Sequence, residues 1–172
     1  MYKRQVHAKA NGLNVQNDSE DVGLMPYQYE YDKSLKTYSI TIDLEAIGKD
    51  ENFNAEADNE EKAFRVNSIL STIENLSLVV KGNMDNAEPI FAVGGISNRK
   101  THYFENVVNV KGQKLILSTD LKDKIGNQYH VALLESGVLE NEAEIERELH
   151  PLTIANLFNM LRQEVNKYYG ID

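Results

Sequence analysis

The chain has 172 residues, with 27 acidic against 18 basic side chains and a formal net charge of -9. It contains no cysteine and no tryptophan, and no apolar run approaches the roughly 20 residues of a membrane-spanning helix, so a disulfide framework and a helical membrane protein are excluded. The acidic balance also argues against a protein that coats nucleic acid by bulk charge, because neutralising phosphates needs Lys and Arg.

The opening Met1-Tyr2-Lys3-Arg4-Gln5 has no apolar stretch behind it that could serve as a signal-peptide core, so a cytoplasmic location is expected. A polar run from Lys9 to Asp21 follows, and no strand or helix is expected before it ends. Residues 1–22 read as a disordered or truncated lead segment and 23–172 as a single α+β domain. Met1 to Gln5 also resembles the peptide left by read-through of sequencing adapters, which would make this chain the downstream part of a longer protein.

The first expected strand holds Tyr27, Tyr29 and Tyr31 in alternation with Gln28 and Glu30. The second, Thr37 to Glu45, has the clearest two-residue period of the chain: Tyr38, Ile40, Ile42 and Leu44 against Ser39, Thr41, Asp43 and Glu45. Joined through Asp32 to Lys36, the two predict an antiparallel hairpin. After an acidic, apolar-poor loop from Gly48 to Asn59, Ala63, Val66, Ile69, Leu70, Ile73 and Leu76 recur at three and four, which predicts an amphipathic helix ending near Lys81-Gly82-Asn83. Glu60 and Glu61 lie at its start, where the helix dipole favours them.

Pro89 opens a short apolar run, Ile90 to Val93, long enough for a buried strand and stopped by Gly94-Gly95. Val107, Val108 and Val110 and then Leu115 to Leu117 flank Lys111-Gly112-Gln113, a hairpin whose glycine supplies the positive dihedral. Tyr129 to Leu134 is a further strand. The last helix begins with Pro151 in its first turn, carries the stripe Ile154, Leu157, Phe158, Leu161, Val165 and Tyr168, and ends at Gly170. The pattern predicts an α+β sandwich with helices on one sheet face.

Catalytic chemistry finds little support. There is no Walker loop, dinucleotide fingerprint or metalloprotease helix motif. The four histidines, His7, His102, His130 and His150, fall on separate elements without ligand spacing, so no metal and no cofactor is expected. The acid-rich stretches Asp43 to Glu61 and Glu135 to Glu148 read as solvated faces. From Lys81 to Lys114 the balance turns basic, and the loop Gly94 to Phe104 concentrates the change. Its glycines open the backbone, Asn98, Arg99, Lys100 and His102 can donate to phosphate or a 2′-hydroxyl, and Tyr103 or Phe104 can stack on a base. The competing reading is a solvated loop whose Tyr103 and Phe104 fold back on the core.

The run Gly23-Leu24-Met25-Pro26 into Tyr27 to Tyr31, the Tyr38 to Leu44 segment with Asp43-Leu44, Ala46 and Gly48, the Arg65-Val66 helix and Pro89-Ile90-Phe91-Ala92-Val93-Gly94-Gly95 together resemble the DevR-type backbone subunit of type I CRISPR effector (Cascade) complexes. The resemblance spans roughly Gly23 to Leu117. It implies a modified RNA-recognition-motif-like (ferredoxin-like) antiparallel sheet with helices on one face, here incomplete at the N-terminus. It also implies a non-catalytic subunit that holds CRISPR RNA through its phosphate-sugar backbone, self-assembles along it with other Cascade subunits, and meets target DNA only through the guide. On this resemblance Gly94, Gly95, Asn98, Arg99 and Lys100 are RNA-binding positions, with Lys81 as an addition. The chain is shorter than the family, lacks its first palm strand and following helix, and is unusually acidic for an RNA sheath. The alternative is an acidic protein-interaction module with an incidental basic loop; a third reading is a small hydrolase using His102 or His130.

Overall fold

The computed structural model describes residues 2–7, 26–31, 34–80 and 83–171, in two compact units, Met1–Lys36 and Thr37–Asp172. In the first unit β1 (Tyr2–His7) pairs antiparallel with β2 (Pro26–Tyr31), Tyr2 opposite Tyr31 and His7 opposite Pro26. The alternating tyrosines therefore do form a strand, but its partner is not the Thr37 segment, and a strand precedes Gly23 where none was expected. The reason lies in the pairing: Lys3, Arg4 and Gln5 break any apolar pattern in β1, and its backbone ladder depends on residues some twenty positions away.

Among its described residues the second unit is α+β, with small two-stranded antiparallel sheets and four helices. Thr37 to Glu45, the most regular alternation in the sequence, is paired into no sheet among the described residues. Its period still sorts the side chains. Ile42 and Leu44 pack against the core cluster of Ala63, Val66, Val165 and Tyr169, whereas Tyr38 and Ile40, further upstream, remain half exposed. The loop after it contains a short hairpin, β3 (Lys49–Asp50) with β4 (Ala55–Glu56). Gly48 enters this hairpin at φ +76°, and a Cβ there would lie 2.9 Å from that of Ala57.

Helix α1 (Asn59–Glu74) starts at Asp58, whose carboxylate accepts the Glu61 N–H at 2.8 Å. It ends earlier than its apolar pattern predicts. The Asn75 side chain donates to the Ser71 carbonyl at 3.0 Å, and Ser77 already begins β5 (Ser77–Val80), which pairs with β6 (Asn83–Asn86). Leu78 continues the helix's hydrophobicity, while the β-branched Val79 and Val80 prefer the pleated backbone, so periodicity alone overran the boundary.

The centre of the unit is β7 (Phe91–Gly94), whose antiparallel partner β10 (His130–Leu133) lies across the later hairpin β8 (Val110–Lys111) and β9 (Lys114–Leu115) and the short helix α2 (Thr119–Ile125). The β8–β9 turn uses Gly112 at φ +64°, as its sequence predicts. Helix α3 (Glu142–Leu149) packs on β10, and α4 (Ile154–Tyr169) packs on β7, on β10 and along α1. The Asn141 amide covers the edge of β9 as a strand would, accepting from Leu115 N–H at 3.0 Å and donating to Leu115 C=O at 2.9 Å.

The last helix begins at its Thr153 cap, three residues after His150. Pro151 lies outside it, in a stretch where Leu152 bridges to Ala132 of β10. The buried stripe runs Leu157, Phe158, Val165 and Tyr169, so Tyr168 is displaced from the core by its neighbour. Three or four residues onward from Val165 would both suit a helical stripe, and the position that meets the α1 core is the fourth, Tyr169.

Candidate nucleic-acid interface

The loop 95–104 leaves the end of β7 where that strand lies against β10 and α4. The two glycines that start it are explained by packing. A Cβ on Gly94 would stand 3.2 Å from Leu161 Cδ1, and one on Gly95 would stand 3.0 Å from the Gln128 carbonyl oxygen and 3.1 Å from the Tyr129 ring. Neither has a positive φ, so their role is close approach to protein rather than an unusual turn. Gly95→Val is expected to destabilise the protein by about 1–3 kcal/mol, because backbone at Gln128 cannot retreat as a side-chain tip can. A thermal melt checks this, with loss of near-ultraviolet tyrosine signal reporting the displaced Tyr129.

Beyond the glycines the loop is polar and exposed. Gln128 Nε2 donates to the Ile96 carbonyl at 2.9 Å, and Ser97 Oγ accepts the Arg99 N–H at 3.0 Å, which tightens the turn carrying Asn98, Arg99 and Lys100 at the surface. Lys81 lies outside the described residues. Tyr103 and Phe104 fold back. Their rings join Tyr129 in one cluster, with centroid separations of 5.2 Å (Tyr103–Phe104), 5.8 Å (Tyr103–Tyr129) and 4.8 Å (Phe104–Tyr129). Two cations converge on the Tyr103 ring. The Arg99 guanidinium is 4.7 Å from its centroid and the Lys124 ammonium 4.6 Å, and Lys124 also donates to the Tyr103 carbonyl at 2.7 Å.

Lys124 comes from α2, whose short Thr119-Asp120-Leu121-Lys122-Asp123-Lys124 stretch carries no motif, so only the fold brings it to the loop. The planar Arg99 group stays exposed over a ring. That arrangement can stack a base or fork a phosphate, while Lys124 supplies a second positive charge nearby.

The other side of the loop is held by the segment 39–45. Ser39 Oγ and His102 Nδ1 share a hydrogen bond of 2.9 Å, and Thr41 Oγ1 donates to the Thr101 carbonyl at 3.3 Å. Lys100 Nζ then donates to Asp43 Oδ2 at 3.0 Å and to Glu45 Oε2 at 2.8 Å. The residues on the wet face of the alternation thus form a polar seam against Lys100 to His102. Glu45 and then Asp43 push the Lys100 ammonium above its ordinary range, and Lys100 holds the Asp43 carboxyl below the usual carboxylate range. Because that carboxyl is lowered, the Asp43 contact is complete at neutral pH and weakens only as pH falls through its lowered value.

His130 takes a different part. Its Nε2 lies 2.9 Å from Glu164 Oε1 across β10 and α4, and the second Glu164 oxygen is buried with no protein partner among the described residues. Glu164 lines an open groove of about 440 Å³ with Ile96, Gln128, Lys167 and Tyr168. Among the described residues no Ser, Thr or Cys lines that groove. Among the described residues no three His, Asp or Glu side chains gather as metal ligands, and no helix is long and apolar enough to cross a membrane.

The family model described as CRISPR-associated negative auto-regulator DevR/Csa2 matches residues 1–115, more than half of the chain and a span that takes in β1, α1, β7 and the whole of loop 95–104. No curated protein and no solved structure was found to match the chain.

Proposed function

Since the chain belongs to the CRISPR-associated DevR/Csa2 family, we propose that it is a non-catalytic backbone subunit of a Cascade-type effector, holding CRISPR RNA by its phosphate-sugar backbone and assembling along it with further copies of itself. The family match is the observation that carries this reading. Loop 95–104 supports it locally, since Arg99 and Lys100 stand at the surface with Asn98, and Lys124 adds a cation at Tyr103. Gly94 and Gly95 serve the site indirectly, by letting β7 and the loop pass close to α4 and Tyr129. The RNA-recognition-motif-like palm, the cytoplasmic location, the other Cascade subunits as partners and contact with target DNA only through guide pairing belong to the same proposal.

Binding of this kind has a definite signature. Changing Arg99 and Lys100 together to Ala in the full-length protein is expected to weaken binding of single-stranded RNA about tenfold, equally across base compositions. The salt dependence should flatten by about 0.7 in log-log slope for each phosphate that is no longer neutralised. Filter binding over a salt series measures both, and an unchanged affinity and slope would remove the loop from the interface.

The acidic protein-interaction module stays as a second reading because Lys100 already has two carboxylate partners. Under that reading the chain binds a protein partner, and RNA retention shows no dependence on Arg99.

A further inference from the structure

The contact between Lys100 and the pair Asp43 and Glu45 has a feature that ordinary surface ion pairs lack: one ammonium is shared by two carboxylates on the same extended segment. Lys100 is 63% exposed at its side chain, Asp43 41% and Glu45 67%, so all three are open to solvent and to a competing anion. Burial does not hold them together. The segment that carries the acids is fixed from its other face, where Ile42 and Leu44 pack on the core and Leu44 C=O accepts the Tyr169 hydroxyl at 2.7 Å. Upstream, Ser39 and Thr41 tie it to His102 and Thr101. The two carboxylates are therefore held at the loop by packing behind them, while their grip on Lys100 is a weak, screened, exposed contact that another anion can replace.

We propose that Asp43 and Glu45 form a built-in electrostatic mask, occupying Lys100 in the RNA-free protein with the carboxylate oxygens that stand in for phosphate oxygens, and giving it up when an RNA phosphate arrives. This rests on the nucleic-acid reading of loop 95–104. The mask lowers affinity for a single stray strand in two ways: the ligand must displace the carboxylates from Lys100, and it then meets their negative charge beside it. Contact at the neighbouring Arg99 and Lys124, which carry no carboxylate among their observed contacts at Tyr103, is left open. Lys100 thus engages only a ligand already held nearby. The acidic seam is a discriminator against weak, isolated RNA contacts, and it gives the unusual acidity of this stretch a role.

The test uses the full-length protein and a labelled single-stranded oligouridylate, titrated over a salt series. D43N/E45Q is expected to bind about three- to tenfold tighter than the parent, and the gain should vanish in D43N/E45Q/K100A. S39A/T41A, which loosens the seam without changing charge, should shift affinity the same way by a smaller factor. E51Q/E60Q, which removes two exposed charges elsewhere, should not reproduce the gain. Circular-dichroism melts confirm that each variant is folded, and S39A/T41A carries the test if neutralising the acids disturbs the fold. Should D43N/E45Q and S39A/T41A bind like the parent while R99A/K100A weakens binding, the mask is overturned and the RNA interface stands. An affinity gain that persists in D43N/E45Q/K100A, or is matched by E51Q/E60Q, also overturns it, since net charge alone would then explain the change. If R99A/K100A itself leaves binding and salt slope unaltered, the underlying RNA reading fails and the mask with it.

Discussion

Replacing Tyr169 with Ala is expected to lower the free energy of unfolding by about 3–5 kcal/mol, the range for truncating a large aromatic in a packed core. Tyr169 is 7% exposed at the C-terminal end of α4 and sits with Ala63, Val66 and Val165 where α4 meets α1. Its ring stands edge-on to Tyr168 at 5.0 Å, and burial pushes its phenol above the ordinary range. Its hydroxyl also reaches out of the helix pair to the Leu44 carbonyl, so the same side chain that closes the core anchors the segment carrying Asp43 and Glu45. Tyr169→Phe separates the two functions. It keeps the packing and loses one hydrogen bond, for a cost of about 1 kcal/mol. Chemical denaturation gives the energies, and hydrogen exchange at Ile42 to Gly48 should quicken in both variants. Equal destabilisation by Phe and Ala would mean that the ring contributes little and that the packing described for this corner is wrong.

The second large effect belongs to Leu157→Ala, expected to cost about 2–5 kcal/mol. Leu157 is 1% exposed on α4, one turn before Leu161, the residue that lies against Gly94 of β7, so truncation leaves a hole in the packed interior. Tyr168→Ala is the informative control. That residue is 46% exposed, and its loss should cost about 1 kcal/mol, mainly the edge-on contact with Tyr169, in spite of its larger side chain. A urea titration of the two variants side by side checks the contrast. A Tyr168 variant as damaging as the Leu157 variant would place the buried stripe one residue from where the structure has it.

This contrast also measures how far the sequence reached. The helical period of α4 was legible because Leu157, Phe158, Leu161 and Val165 recur at three and four, and Gly170 at φ +71° marks its end. The choice between Tyr168 and Tyr169 was not, since both continue the stripe and only the position of α1 selects one. For the same reason the Gly112 turn was readable and α2 was not: a hairpin turn states its own backbone requirement, while a seven-residue helix owes its stability to Leu121 being buried by the rest of the fold.

The candidate site divides in the same way. Arg99 and Lys100 could be singled out because they follow a glycine pair in a basic stretch. The fate of Tyr103 and Phe104 depended on Tyr129, and Lys124 and Asp43 are distant in sequence from the loop they meet. The acid-rich stretches, read as solvated faces, prove to be partly engaged: besides the Lys100 contacts, Glu56 pairs with the buried Lys62 and Glu148 with Lys122 at 2.8 Å.

What the sequence determined by itself was local: where backbone could turn, which residues alternate and which recur at helical spacing, because these follow from dihedral preferences and the two periods of secondary structure. It therefore assigned two faces, one apolar and one polar, that hold from Thr41 to Glu45, whereas upstream Tyr38 and Ile40 are exposed and Ser39 is the less exposed residue. Tertiary structure alone decided what those faces meet, placing Ile42 and Leu44 against the α1–α4 core and Asp43 and Glu45 against Lys100, with no sheet pairing of the segment among the described residues. Alternation records that an extended chain lies between an apolar and a polar neighbour; whether a strand ladder, a helix pair or a basic loop fills those places is set by residues far along the chain.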